Sequence, residues 1–175
     1  MTDPNLSINN GDMSSLNLKI FSQALQEVFN EVGVTATTVR PLDPAEGQFE
    51  LVSSLGLTGD IQGYLIIKSS LKSATRFVEI MTSHMGMEME ENGFGAYHKA
   101  AIAEITNQIS GRATMILSEE GFDCSITPPT IVTGSNIFMQ IPNLEMSASE
   151  KIEGDFGFFG LFIGIKNVKK LDSHS

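Results

Sequence analysis

The chain is predicted to fold as an α+β domain with a mostly antiparallel sheet packed against helices. Two observations predict it. Apolar residues recur at helical spacing in three separate stretches, and the intervening extended runs come in hairpin-like groups. The resulting order is helix, two strands, helix, helix, then three strands. That pattern suits an α+β layering better than a parallel, doubly wound sheet.

The first predicted helix covers Leu18 to Val32, with Ile20, Phe21, Leu25, Val28, Phe29 and Val32 as its inner face and Gly33 as its stop. Pro41 to Gly47 reads as a turn region. Strands follow at Phe49 to Leu57 and Ile61 to Ser69, joined by the Thr58-Gly59-Asp60 turn. Leu71 to Met85 reads as a second amphipathic helix, with Ala74, Phe77, Val78 and Met81 inward. Residues 86–94 form a loop. A long helix then runs from Ala96 to Glu119, ended by Gly121. Three strands close the chain: Asp123 to Ile126 running on toward Thr133, Ile137 to Ile141, and Gly154 to Val168. The first 16 residues, rich in Asn, Asp and Ser, read as a flexible tail. Residues 17–170 then form one domain, and 171–175 a short C-terminal tail.

Composition excludes several function classes. Of 175 residues, 41% are hydrophobic and 18% charged, an ordinary globular balance. The net charge of −10 argues against nucleic acid and against electrostatic docking on anionic lipid, since both need clustered Lys and Arg. The single cysteine, Cys124, allows no internal disulfide and reads as a small apolar residue of a strand. The polar N-terminus lacks an apolar signal core, and Phe156 to Ile165 is too short to span a bilayer. A cytoplasmic location is expected.

The long helix is unusual on its outer side. Ile102, Ile105, Ile109, Ala113 and Ile116 form the inner stripe. The opposite face carries Ala96, Ala100, Ala103 and Gly111, with Glu104 and Asn107 as its main polar side chains. A glycine inside a helix costs about 1 kcal/mol relative to alanine. A bare face of this kind suits close approach by a partner. Glu104 and Asn107, three residues apart, are neighbours on one side of the helix. A carboxylate can pair with a lysine. A carboxamide offers both a donor and an acceptor and can orient a water, which is the kind of task phosphoryl transfer requires. The spacing alone is weak: Glu27 and Asn30 repeat it in the first helix, without flanking small residues and without prolines downstream.

The surroundings of Glu104 carry a family resemblance. The segment Ala103-Glu104-Ile105-Thr106-Asn107-Gln108-Ile109-Ser110-Gly111-Arg112-Ala113, followed by Ile126-Thr127-Pro128-Pro129-Thr130-Ile131-Val132-Thr133-Gly134, resembles the CheX branch of the CheC/CheX/FliY chemotaxis phosphatases. The resemblance extends from about residue 18 to residue 168. It implies a CheC-like fold and a substrate, a phosphorylated response regulator of the CheY type. Glu104 would bridge to the regulator's lysine, and Asn107 would orient the water that attacks the aspartyl phosphate. Mg²⁺ would be supplied by the regulator, with no cofactor of the chain's own. Ala100, Ala103, Gly111, Arg112, Pro128 and Pro129 would form the docking surface, and the protein would be a homodimer. Two departures stand out: Ala100 replaces a small polar residue, and Arg112 replaces the asparagine common after the helix glycine. Two rival readings stay open. One is a non-catalytic module that binds a regulator or another signalling partner. The other is a structural dimer domain whose Ala/Gly face packs on a second helix.

Overall fold

A computed structural model describes residues 10–43, 45–89 and 92–169, with the backbone alone for residues 10–16. The elements in chain order are α1 (Asn10–Glu31), β1 (Ala36–Pro41), β2 (Leu51–Gly59), β3 (Ile61–Ser69), α2 (Leu71–His84), α3 (Ala96–Glu119), β4 (Cys124–Ile126), β5 (Thr130–Thr133), β6 (Met146–Gly154) and β7 (Gly157–Val168). The α+β class predicted from the sequence is correct. Seven strands form one sheet in the order β1-β6-β7-β3-β2-β4, with β5 also on β2, and every pairing is antiparallel.

Period-2 alternation decides how the sheet meets the helices. Ile61, Leu65 and Ile67 of β3 and Phe159, Leu161, Ile163 and Ile165 of β7 point to one side. There they join the inner faces of α1, α2 and α3 in a single apolar cluster. Phe29, Phe77, Phe156 and Phe159 stack edge-on or tilted at its centre, with centroids 4.7 to 6.0 Å apart. Such offset geometries add to the burial of each ring. All six predicted inner residues of the first helix are buried.

Several boundaries differ from the sequence reading. Helix α1 starts at Asn10, eight residues before the predicted Leu18 and within the segment read as a tail. The remaining tail positions, 1–9 and 171–175, lie outside the described residues. Strand β1 was not foreseen; among the described residues it pairs only with β6, at the end of the sheet. Strand β6 was also missed. Its sequence Met-Ser-Ala-Ser-Glu-Lys-Ile-Glu-Gly buries only Ile152, so it shows no apolar alternation. Ile137 to Ile141 is a loop, not a strand. Asn136 and Asn143 at either end adopt left-handed backbone with φ of 52° and 59°, which breaks extended structure. Phe138 between them is 86% exposed. The predicted final strand begins at Gly157, because Gly154 and Gly157 close the β6–β7 hairpin. Strand β7 lies between β6 and β3, so both its edges are taken.

Candidate functional site

Helix α3 lies on the sheet through Ile102, Ile105, Ile109, Ala113 and Leu117, all buried. This stripe forces the opposite side of the helix outward. Ala100 and Glu104 are exposed, and Ala103, Asn107 and Gly111 are half-buried. Glu104 Oε1 accepts a hydrogen bond from Gln108 Nε2 at 2.9 Å, one turn along. The Asn107 carboxamide makes no hydrogen bond among the described residues, so its donors and acceptor face outward unused. An added Cβ at Gly111 would meet no heavy atom within 4 Å beyond the helix backbone. No packing among the described residues therefore requires a glycine there.

The wall facing this helix comes from the edge of the sheet. β4 pairs with Leu57–Gly59 of β2 and β5 pairs with Leu51–Ser54, so the two short strands lie along one partner with a gap between them. Pro128 and Pro129 sit at that gap. Proline has no N–H to give to a ladder, which confines it to edges and breaks. Thr127 closes the gap instead. Its N–H donates to Gly56 O at 2.9 Å, its Oγ1 accepts from Gly56 N at 2.8 Å, and the same hydroxyl donates to Pro128 O at 3.3 Å. Gly56 permits this approach, because a Cβ there would lie 3.2 Å from Thr127 Cγ2.

Between the two walls runs an open groove of about 590 Å³ lined by Ala100, Ala103, Glu104, Asn107, Ile126, Thr127, Pro128 and Pro129. Six residues selected from the sequence thus meet in one place. Ile126 and Thr127 line it too and were not selected, although both lie in the quoted Pro-Pro segment. Two selected residues lie elsewhere. Gly111 is on the same helix face, one turn beyond Asn107, outside the groove. Arg112 turns away from it. Arg112 Nη1 donates to Glu27 Oε2 at 3.0 Å and Nη2 to Glu31 Oε1 at 2.8 Å, bridging α3 to α1. Arg112 is thus engaged with α1 and outside the groove: five residues past Asn107 is well over a quarter-turn off that side of the helix. Hydrogen bonds to Glu31 and Glu27 raise the Arg112 pKa further above its ordinary value. The Gln23 hydrogen bond, and then Arg112, hold the Glu27 carboxyl below its ordinary value. Glu27 of the second Glu-x-x-Asn spacing is thus engaged inside the molecule, while Glu104 of the first faces solvent.

Cys124 is half-buried against the core, and burial is the main cause that pushes its thiol pKa up, away from a reactive thiolate. Among the described residues, no cluster of three or more His, Cys, Asp or Glu is placed to hold a metal ion. None of their helices is long and apolar enough to cross a membrane.

The fold is that of the CheC-like proteins. It superposes on a CheC-like superfamily protein from Shewanella sp. PV-4 with a TM-score of 0.71 at 18% identity, covering 85% of this chain and 96% of that one. CheX from Vibrio vulnificus gives 0.70 at 22% identity, over 85% and 95% of the two chains. The CheX–CheY–BeF3–Mg²⁺ complex from Borrelia burgdorferi gives 0.69 at 20% identity, over 86% and 98%. The chain belongs to the chemotaxis phosphatase CheX family, whose model matches residues 51–152. It is 31% identical over 120 residues to the CheY-P phosphatase CheX of Thermotoga maritima, covering 67% of this chain and 75% of that protein.

Proposed function

We propose that this chain is a phosphatase that dephosphorylates a CheY-type response regulator, with Asn107 as the residue that orients the attacking water and Glu104 as the anchor on the regulator's lysine. Family membership and the likeness to a CheX solved together with CheY, BeF3 and Mg²⁺ support the substrate class. The observation that supports the residue roles is the groove itself: Glu104 and Asn107 share it with Pro128 and Pro129, and the Asn107 amide has no hydrogen-bond partner among the described residues. Ala100, Ala103 and Gly111 keep the helix low beside Asn107, so a partner can come close enough for a short carboxamide to reach a phosphate in its pocket.

The chemistry asked of this chain is positioning. Asn107 has no pKa in the working range and cannot take a proton as a base. Its amide can hold a water oxygen in line with phosphorus while the bond to the aspartyl oxygen breaks. Mg²⁺ belongs to the regulator in this reading and offsets charge on the phosphoryl oxygens there.

The test is phosphate release from CheY-type regulators of the same organism, charged with acetyl phosphate, with and without the protein. Asn107→Ala is expected to lower the rate by roughly 10²- to 10³-fold, as for loss of one preorganised donor elsewhere, while binding stays measurable. Glu104→Ala is expected to lose both docking and rate. Wild-type release by Asn107→Ala would overturn the mechanism. Binding without any release by the wild-type protein would point to the non-catalytic module instead.

A further inference from the structure

Thr106 lies between Glu104 and Asn107 in sequence but points the other way. It is fully buried, as is Ser53 of β2, and their hydroxyl oxygens are 2.7 Å apart. The Thr106 hydroxyl also bonds to Ile102 O at 2.8 Å. A hydroxyl has one proton. Thr106 spends its own on Ile102 O, so Ser53 Oγ must donate to Thr106 Oγ1. One turn further on, Ser110 Oγ donates to Thr106 O at 2.9 Å. These polar contacts sit among the buried apolar residues Ile102, Ile105, Ile109, Ala113 and Leu117.

The two kinds of contact do different work. Apolar burial decides which side of α3 faces the sheet, but it is non-directional and tolerates some rotation of the helix. A hydrogen bond is directional and weakens steeply off axis. A rotation that breaks the Ser53–Thr106 bond leaves buried hydroxyls short of a partner, which is costly. The same strand references the opposite wall of the groove. Gly56, three residues from Ser53 on β2, holds Thr127 and through it Pro128. One strand thus sets both the helix and the proline wall.

We propose that Ser53 and Thr106 are positioning residues: their buried hydrogen bond sets the rotation of α3 so that Asn107 is held at a fixed place across the groove from Pro128 and Pro129. The proposal rests on the reading of Asn107 as the water-orienting group. The leverage follows from helix geometry. With side chains reaching roughly 6 Å from the axis, a turn of about 20° carries the tip of Asn107 about 2 Å sideways. Misplacement of about 1 Å at a reacting centre can cost on the order of 100-fold in rate.

The test compares the Ser53→Ala/Thr106→Val double variant, Thr106→Ser, Asn107→Ala and wild type. Rates are normalised to folded protein measured by circular dichroism and urea midpoint. Removing both hydroxyls together avoids an orphaned partner and keeps the side chains close in shape. The double variant is expected to lose roughly 10- to 100-fold in kcat, with KM for the acetyl-phosphate-charged regulator unchanged. Thr106→Ser, which keeps the hydroxyl, is expected to stay near wild type. A wild-type kcat in the double variant alongside a slow Asn107→Ala overturns the positioning role and leaves the catalytic reading standing. A raised KM with kcat intact, or an equal loss in Thr106→Ser, overturns it as well. If Asn107→Ala itself is as fast as wild type, the catalytic reading falls and the positioning role falls with it. Should the double variant fail to fold, Ser53→Ala alone removes the donor and is judged by the same split between kcat and KM.

Discussion

Gly111 offers a perturbation in which stability and activity should move in opposite directions. It sits inside α3, and its replacement by alanine would touch no heavy atom within 4 Å beyond the helix backbone. The change therefore carries no steric cost within the molecule. It should gain the intrinsic helix preference of alanine over glycine, about 1 kcal/mol. For a chain of this size that is a rise in Tm of roughly 2 to 4 °C. Leucine has nearly the helix preference of alanine, so Gly111→Leu should be at least as stable as wild type. Its side chain would stand on the outward face one turn from Asn107, where a docking regulator has to approach. Two assays decide the matter: thermal or urea unfolding, and phosphate release from the charged regulator. The expected result is a more stable protein in both variants, with release little changed in Gly111→Ala and strongly reduced in Gly111→Leu through KM. A stable Gly111→Leu with wild-type KM and kcat would refute the idea that this glycine clears a docking path. A destabilised Gly111→Ala would refute the open surroundings of the position.

Two further outcomes follow from the two walls of the groove. Gly56→Val places a branched side chain where even a Cβ comes within 3.2 Å of Thr127. It should push Thr127 and Pro128 outward, cost about 1 to 3 kcal/mol by overpacking, and slow release; a wild-type rate in the folded variant would detach the proline wall from function. The Arg112 bridge should respond to pH. Because the folded-state pKa of Glu27 is lowered from the ordinary 4.5, its stabilising share is present above that value and is lost as pH falls through the folded value, while Arg112 stays charged throughout. The difference in urea midpoint between wild type and Arg112→Gln should thus be small at pH 7, the bridge being exposed to water, and should shrink below pH 4.5. A difference that grows in acid would mean the bridge does not hold α1 and α3 together.

What the sequence revealed depended on how strongly each element buries one face. All three helices, and the β2–β3 hairpin, were legible because their apolar residues recur at a fixed period. Strand β6 was not, since Ile152 is its one buried residue and its neighbours are Ser, Glu and Lys. The loop at Ile137 to Ile141 misled for the opposite reason: it is apolar, yet left-handed Asn136 and Asn143 keep it out of the sheet. At the groove, small residues and prolines were conspicuous because they depart from what a solvated face or a strand ordinarily carries. Ser53 and Thr106 were not, because nothing in one sequence says that a serine in a strand meets a threonine in a helix 53 positions away. Nor does one sequence show that Arg112, next to Gly111, turns toward Glu27 and Glu31 of α1.

The alanine and glycine face also bears on how two copies could associate. A two-fold contact between α3 helices centred on Ala100, Ala103 and Gly111 would bury Glu104 from both copies in one seam. In the antiparallel register each Glu104 would oppose the Asn107 of the other copy. An amide supplies a hydrogen bond but no countercharge, and Arg112 is already committed to α1. Burying two carboxylates without a cation costs several kcal/mol for each ion. Any homodimer should therefore use another surface. Among the described residues β1 keeps an unpaired edge, whereas both edges of β7 are filled. The mass in solution measured by light scattering should then be the same for wild type, Gly111→Leu and Glu104→Ala. A fall from dimer to monomer in Gly111→Leu alone would place α3 in the interface and favour the structural-dimer reading of this face.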